Sequence, residues 1–378
     1  MLPRSETLVP VTTAPPSMTS ILASWTRRDW WQASGLLGVV AVMHLVGFGV
    51  LIFAIAPHHY MAGTAVFGVG LGLTAYVFGM RHAFDADHIA AIDNTTRKLM
   101  ADGKKPKSVG FWFAMGHSTI VFVLAALVVA GAHAANALLD EGSSVRHGLG
   151  VAGTLASGGF LYVIGAINIV ALIGIWHVFR RLRDGTFSAD ELDAALDGRG
   201  FLARILRPVM RRITHAAQMY PVGILFGLGF DTATEVALLA LAGTGAAAGL
   251  PWYAVLVLPL LFAAGMSLMD TLDGLFMNVA YDWAFAHPIR KIYYNLTITV
   301  LSIAVAVIIG SIELISVLHD DLGMVDPLTD WISGIDLNTV GIGVVVMFAV
   351  AWASAVAYWK IARVEQRYAD IPVSAGSR

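Results

Sequence analysis

The chain has 378 residues, of which 57% are hydrophobic and only 13% are charged, and its formal net charge is -2. With a mean hydropathy of +0.72, it carries far more apolar surface than one soluble core can bury, which excludes an ordinary soluble domain and predicts a polytopic membrane protein. The chain contains no cysteine, so disulfides and thiolate metal ligands are also excluded.

The ends of the chain are polar and its middle is apolar. Residues 1–33 contain Pro, Ser and Thr but no continuous apolar core, so they lack the pattern of a cleaved signal peptide and are interpreted as a cytoplasmic tail. A single transmembrane domain is predicted at 34–362, interrupted by a polar cytoplasmic insert at 180–218. A cytoplasmic C-terminal tail is predicted at 363–378.

Eight apolar stretches each exceed the roughly 20 residues that cross the hydrocarbon core of a bilayer. They lie at about 34–57, 62–95, 109–133, 151–179, 219–244, 252–285, 293–318 and 337–362. Of the 24 Lys and Arg residues, 22 fall in the two tails, the insert and the loops after the second and sixth stretches. The eight apolar stretches predict an all-α protein with eight transmembrane helices. Because cytoplasmic loops carry the excess of basic residues, the charge distribution predicts that both termini lie in the cytoplasm.

The second stretch contains an unusual density of ionisable side chains, RHAFDADHIAAID (Arg81–Asp93), directly after the apolar run 62–80. Charges at membrane depth cost about 2.5–3.5 kcal/mol each on insertion scales and usually serve a function. Imidazoles with carboxylates are the usual ligands of nickel, cobalt or zinc, and further carboxylates can orient the imidazoles. We interpret the stretch as part of a divalent-metal pathway; the alternative is a set of salt-bridged groups that only join helices.

Helical geometry raises a question about this stretch. At about 100° per residue, His82, Asp85 and His88 share a broad face of a continuous helix, whereas Asp87 points away from it. Either the helix is broken near residues 84–87, as helices at transport sites often are, or Asp87 has a separate role.

Two pairs of carboxylates occur in later apolar stretches. Asp231 and Glu235 are four residues apart, and Asp270 and Asp273 are three apart, so each pair lies on one helix face. If all four were ionised and unpaired in the bilayer, insertion would cost roughly 10 kcal/mol or more. We therefore expect these groups to share protons, bind cations or line water.

Two further histidines lie in apolar stretches. His117 follows Gly116, and a glycine allows close approach of a neighbouring helix. His44 is alone in the first stretch. For each of them, a metal ligand and a packed core residue are both open interpretations.

Short internal matches favour an inverted repeat. FAMGHS (Phe113–Ser118) matches FAAGMS (Phe262–Ser267) at four positions, and each follows a stretch with Phe-Gly and then Phe-Asp. Spans one to three would then correspond to spans four to six, with opposite topology because three is odd, as in many secondary transporters. Coincidence is the alternative for motifs this short.

Four motifs resemble the signatures of the nickel/cobalt transporter (NiCoT) family, and they occur in that family's order. They are RHAFDADHI (Arg81–Ile89), FAMGHSTIV (Phe113–Val121), LGFDTATE (Leu228–Glu235) and GMSLMDTLD (Gly265–Asp273). With the eight-span layout, the resemblance covers about 30–365. It implies high-affinity secondary uptake of Ni²⁺ and/or Co²⁺ across the bacterial cytoplasmic (inner) membrane. Carried over by position, it implies an essential triplet of His82, Asp87 and His88, with contributions from His117, Asp231, Glu235, Asp270 and Asp273.

We therefore predict a permease and not an enzyme, in which the triplet binds the dehydrated ion and later carboxylates complete its shell or carry coupling protons. The expected partners are the transported metal ion and the lipid bilayer; no cofactor and no nucleic acid is expected, and the oligomeric state stays open. An exporter of the same fold and an intramembrane metal-dependent hydrolase are the alternatives. The predicted metal-site residues are His82, Asp87, His88, Asp85, His117, Asp231, Glu235, Asp270, Asp273 and His44.

Overall fold

The computed structural model describes most of the apolar part of the chain. The described residues are 25–62, 65–130, 144–183, 213–228, 233–285, 288–324 and 326–335, with single residues and short runs between 337 and 357. Most of both predicted tails, most of the predicted insert and Asp231 lie outside these residues. Within them the chain is helical except for its turns and one antiparallel hairpin.

The helices are numbered in chain order over the described residues. They are α1 Arg27–Gly49, α2 Val69–His82, α3 Ala86–Ala101, α4 Val109–Val129, α5 Ser144–Arg183, α6 Met219–Gly227, α7 Ala233–Ala247, α8 Trp252–Phe285, α9 Pro288–Leu322 and α10 Pro327–Ser333. A π-helical segment, Val50–Ile55, and a 3-10 turn, Ala56–His58, extend α1. The hairpin follows, formed by β1 (Tyr60–Ala62) and β2 (Ala65–Phe67), with Tyr60 opposite Phe67.

Several helices are long and apolar enough to cross a membrane. In the described part of the chain these candidate spans are Arg27–His58, Val109–Val129, Gly150–Gly174, Trp252–Asp282 and Thr299–Asp321. Large apolar side chains such as Leu45, Phe53 and Ile308 are exposed on the outer faces of the helices. Apolar surface of this kind is stable only against lipid. The chain is therefore an α-helical, polytopic membrane protein.

One of the predicted spans is not a continuous helix. In the predicted span 62–95, the first residues belong to the hairpin, and the helical part is divided between α2 and α3. Aromatic and β-branched residues favour a strand here, although hydropathy alone does not distinguish them from a span. In the predicted span 219–244, α6 and α7 lie on either side of residues 229–232, which are outside the described residues. Only scattered helical residues of the span 337–362 are described, so the number of eight spans stays a prediction.

Helix α8 is central, since it packs against α1, α2, α3 and α4, while α9 packs along α5. Glycines permit direct backbone contact at two crossings. A Cβ on Gly79 of α2 would overlap the carbonyl oxygen of Phe262 in α8, and a Cβ on Gly116 of α4 would overlap that of Tyr220 in α6. Small residues at such crossings let membrane helices approach closely. The two crossings hold α2 and α4 against their partners at the level where polar side chains meet.

Candidate metal centre

A helix break separates the two halves of the motif Arg81–Asp93. Helix α2 ends at His82, and the amides of Phe84 and Asp85 donate to carbonyl oxygens three residues back, at 3.0 and 2.8 Å. Asp85 has an extended backbone, and its carboxylate accepts the N–H of Ala86 at 2.9 Å, so it caps α3. An acidic first turn further favours a helix start. Of the two alternatives that the helical geometry left open, the broken helix is the one observed.

The break brings three histidines together. His82 and His88, six residues apart, would point about 120° apart on a continuous helix. Across the break their ring centroids are 4.6 Å apart, and His117 of α4 lies 4.7 and 4.9 Å from them. One ligand nitrogen from each ring lies within 4.8 Å of the other two. All three side chains are buried, with at most 2% of each residue exposed. Within the described residues, these three form the one such group that could hold a metal ion.

The facing atoms have a spacing suited to a metal. Nε2 of His82 is 3.0 Å from Nε2 of His117. Two nitrogens bound at right angles, each about 2.1 Å from a metal, also lie about 3.0 Å apart. The carboxylate oxygen Oε1 of Glu235 is 2.5 Å from Nε2 of His117 and 3.8 Å from Nε2 of His82. The carboxylate of Glu235 thus lies at hydrogen-bond distance beside the three imidazoles, and imidazole and carboxylate are donor types that suit borderline divalent ions.

Polar groups behind the rings hold two of the histidines in position. Nδ1 of His88 faces the carboxylate of Asp270 at 3.3 Å, and Nε2 of the same ring has no hydrogen-bond partner among the described residues. A proton on Nδ1, donated to the carboxylate, leaves the lone pair of Nε2 for a metal. Nδ1 of His82 lies 3.3 Å from the hydroxyl of Thr234. Both contacts fix the orientation of a ring.

Two phenylalanines form apolar walls beside the histidines. The ring of Phe113 meets that of His88 edge-on at 4.7 Å, and the ring of Phe262 lies 5.5 Å from that of His82. Both phenylalanines are fully buried. Sequence reasoning used them only to mark the internal repeat and missed their place at the site; the signal was their position three residues before the crossing glycines of FAMGHS and FAAGMS.

The remaining predicted carboxylates lie around this group. Asp85 caps α3, and Oδ1 of Asp87 accepts the backbone N–H of His88 at 2.8 Å. Oδ2 of Asp273 is buried and has no hydrogen-bond partner among the described residues. Asp231 lies outside them. The structure therefore brings Glu235 and Asp270 to the histidines and uses Asp85 and Asp87 at the start of α3.

His44 lies apart from the cluster. Its Nδ1 is 2.8 Å from the carbonyl oxygen of Val40, and its Nε2 is 3.2 Å from the hydroxyl of Tyr76. The rings of His44 and Tyr76 pack edge-on at 5.4 Å. In this arrangement the side chain joins α1 to α2, and it is not part of the histidine group.

A buried polar network holds α3 against α8 and α9, and sequence reasoning did not identify it. The carboxylate of Asp93 accepts hydrogen bonds from Tyr281 of α8 and from Ser302 of α9, the latter at 2.7 Å. Arg97, one turn further on, donates to the hydroxyl of Thr299 at 2.8 Å. All these side chains are buried. The network ties the helix that carries His88 to two neighbouring helices; the polar run DNTTRK (93–98) was its signal.

Replacing Asp270 by asparagine is expected to weaken nickel binding by about 10- to 100-fold, because a neutral amide accepts the Nδ1–H of His88 less strongly and orients the ring less well. Calorimetric titration of the detergent-solubilised protein with Ni²⁺ measures this effect. The control is Asp282→Asn, which alters a partly exposed carboxylate near the end of the same helix. An unchanged dissociation constant for Asp270→Asn would contradict the role assigned to this carboxylate.

Comparisons with known proteins identify the family of this chain. A family model described as "High-affinity nickel-transport protein" (NicO) matches residues 68–358. The nickel transporter NicT of Mycobacterium tuberculosis is 54% identical over 92% of this chain and 94% of its own length. The nickel transporter NixA of Staphylococcus aureus is 42% identical over 88% and 95%, and the cobalt transport protein NhlF of Rhodococcus rhodochrous is 37% identical over 89% and 94%. No solved structure matches significantly. The chain belongs to the family of high-affinity nickel-transport proteins.

Proposed function

We propose that this protein is a secondary transporter that takes up Ni²⁺ and/or Co²⁺ across the bacterial cytoplasmic membrane. The observation that carries the proposal is the buried group of three histidines at the junction of two half-helices. Relatives named as nickel or cobalt transporters over most of their length support it. The NicO family and these relatives are transporters, which disfavours the alternative of a hydrolase.

The ion binds with its water removed. His82, His88 and His117 supply imidazole nitrogens, Glu235 adds a carboxylate oxygen, and Asp270 orients His88. Because the three histidines are almost fully buried, an ion can enter or leave only when neighbouring helices move. Alternating movement that opens the site first to one side and then to the other is the usual mechanism of secondary transporters. Asp87, Asp231 and Asp273 are left to line the path or to carry a coupling ion.

The proposed architecture has eight spans, both termini in the cytoplasm and an inverted repeat that relates spans one to three with spans four to six. The repeat is supported by the position of the break between α2 and α3 beside Phe84-Asp85, a motif that recurs in the sequence of the fifth span as Phe230-Asp231. It is also supported by the glycine crossings. Gly116 of α4 contacts the backbone of Tyr220 in α6, and the equivalent Gly265 of α8 contacts that of Tyr76 in α2. Each repeat thus packs its third span on the second span of the other.

Uptake in cells tests the direction of transport and the substrate. Bacteria that express the protein are expected to accumulate more radiolabelled nickel than cells with an empty vector, and unlabelled Co²⁺ should compete with the label. A fall in cellular nickel would instead indicate an exporter of the same fold. An unchanged metal content, with the protein present in the membrane, would reject transport of this ion.

A further inference from the structure

A cavity lies away from the histidines, at the end of α1 and α4 that is rich in basic residues. Its volume is about 630 Å³. Its walls combine apolar and aromatic side chains of the two helices, among them Trp31, Leu36, Phe111 and Trp112. Trp31 is 77% exposed, so the cavity is bordered by surface that the protein leaves uncovered in the described residues. None of the three grouped histidines lines this cavity, so the histidine group does not explain it.

The polar rim of the cavity is cationic. Nζ of Lys104 donates to the carbonyl oxygen of Thr214 at 2.5 Å, which leaves two of its three N–H groups for another acceptor. Lys105 has a 52% exposed side chain and only a 3.6 Å pair with Asp282, an arrangement that holds a lysine weakly. Lys107 also lines the cavity but is neutralised by Asp29 at 2.5 Å. None of the residues that line the cavity is acidic.

The cavity spans two depths of a membrane. Both α1 and α4 are candidate spans, and the cavity lies at the start of each, so its lysines are at headgroup depth and its apolar wall continues toward the hydrocarbon. Tryptophans such as Trp31 and Trp112 are typical of this interface. Basic pockets between helices on the cytoplasmic side attract anionic lipid headgroups. An inorganic ion would gain nothing from the apolar wall.

We propose that this cavity binds one anionic phospholipid, with its phosphate at Lys104 and Lys105 and an acyl chain along Leu36 and Phe111. The lipid would join α1 to α4, the helix that carries His117. The inference rests on the cavity and its charges and does not depend on which ion the protein transports.

Two variants test the lysine charges and the apolar cavity separately. Lys104→Gln with Lys105→Gln removes the charge and keeps the cavity. Gly35→Leu keeps the charge and fills the cavity, because Gly35 lines it and a Cβ at this position meets nothing within 4 Å. Gly38→Leu is the matched control, since Gly38 is equally open on the same helix but does not line the cavity. Arg180→Gln is a control for charge, because Arg180 is an exposed cation that lies over Trp176 and outside the cavity.

Native mass spectrometry of the full-length protein in detergent, titrated with phosphatidylglycerol or phosphatidylcholine, measures the binding. The wild type and both controls are expected to prefer phosphatidylglycerol. The double lysine variant should bind phosphatidylglycerol about fivefold more weakly for each lysine removed. Gly35→Leu should bind neither lipid at this site. Equal binding of the two lipids by the wild type, wild-type binding by either variant, or displacement of the lipid by inorganic phosphate at matched ionic strength would overturn the proposal.

Discussion

Alanine at His82, His88 or His117 is expected to lower nickel uptake by roughly 100-fold or more at substrate concentrations below saturation. The magnitude follows because changing a group that only orients a ligand already costs about 10- to 100-fold in metal affinity, and here a ligand itself is lost. The three rings meet at one point, so we expect each single variant to be about as defective as the triple variant. Effects of residues that act as one unit are not additive.

Initial rates of radiolabelled nickel uptake, normalised to the amount of protein in the membrane, measure this loss. His319→Ala is the matched control, since His319 is partly exposed, pairs with Asp330 at 3.5 Å and lies outside the cluster. Full activity of any one of the three cluster variants would show that its ring does not bind the ion. A defect in the control equal to theirs would point to general misfolding instead.

Replacing Gly116 by alanine is expected to destabilise the protein and to abolish uptake. The added Cβ would overlap the backbone carbonyl of Tyr220, so α4 and α6 would have to separate by about 1 Å or more. Overpacking of this kind typically costs about 1–3 kcal/mol. His117 is the next residue, and its Nε2 has short contacts with two other side chains, so the same shift would disturb the metal site.

Gly159→Ala is the control for this substitution. A Cβ on Gly159 meets nothing within 4 Å, so alanine there should be tolerated or slightly stabilising, since alanine favours a helix by about 1 kcal/mol over glycine. Thermal unfolding of the purified protein and nickel uptake in cells give the two readouts. Equal melting temperatures for the two variants would contradict the backbone contact at Gly116.

Membrane character and the local composition of the site were predictable from sequence, because both depend on which residues occur close together in the chain. Apolar run lengths identified α1, α4, α5, α8 and α9 as helices of membrane length. The clustering of His82, Asp85, Asp87 and His88 drew attention to the stretch that supplies two of the three grouped histidines. The family was evident from the four motifs, and the match of the NicO model over residues 68–358 confirms it.

The arrangement within the site was less predictable, because it depends on where helices stop and cross. Hydropathy does not reveal a break, so it predicts one span at 62–95; the helical periodicity of the polar residues left a break near 84–87 as one of two alternatives, and in the structure Asp85 begins a new helix. Contacts between residues far apart in the chain were also not predictable. Asp270 contacts His88, which is 182 residues away in sequence, and Tyr281 contacts Asp93, which is 188 residues away. His44 was predicted as a possible metal ligand, but its Nε2 lies beside the hydroxyl of Tyr76 instead. One such partner is enough to accommodate an isolated histidine in an apolar span.

The break between α2 and α3 makes the distance between two of the three grouped histidines depend on the angle between the half-helices. Two of the three imidazoles sit on opposite sides of it, one at the end of each half-helix, so rotation of one half-helix relative to the other changes the distance between these two ligands directly. A ligand set tolerates only about 0.5 Å or 10–20° of error. For the proposed transporter, a bend of roughly 20° at residues 83–85 is therefore enough to weaken binding of the ion, and the movement that opens the path can be the same movement that releases the ion.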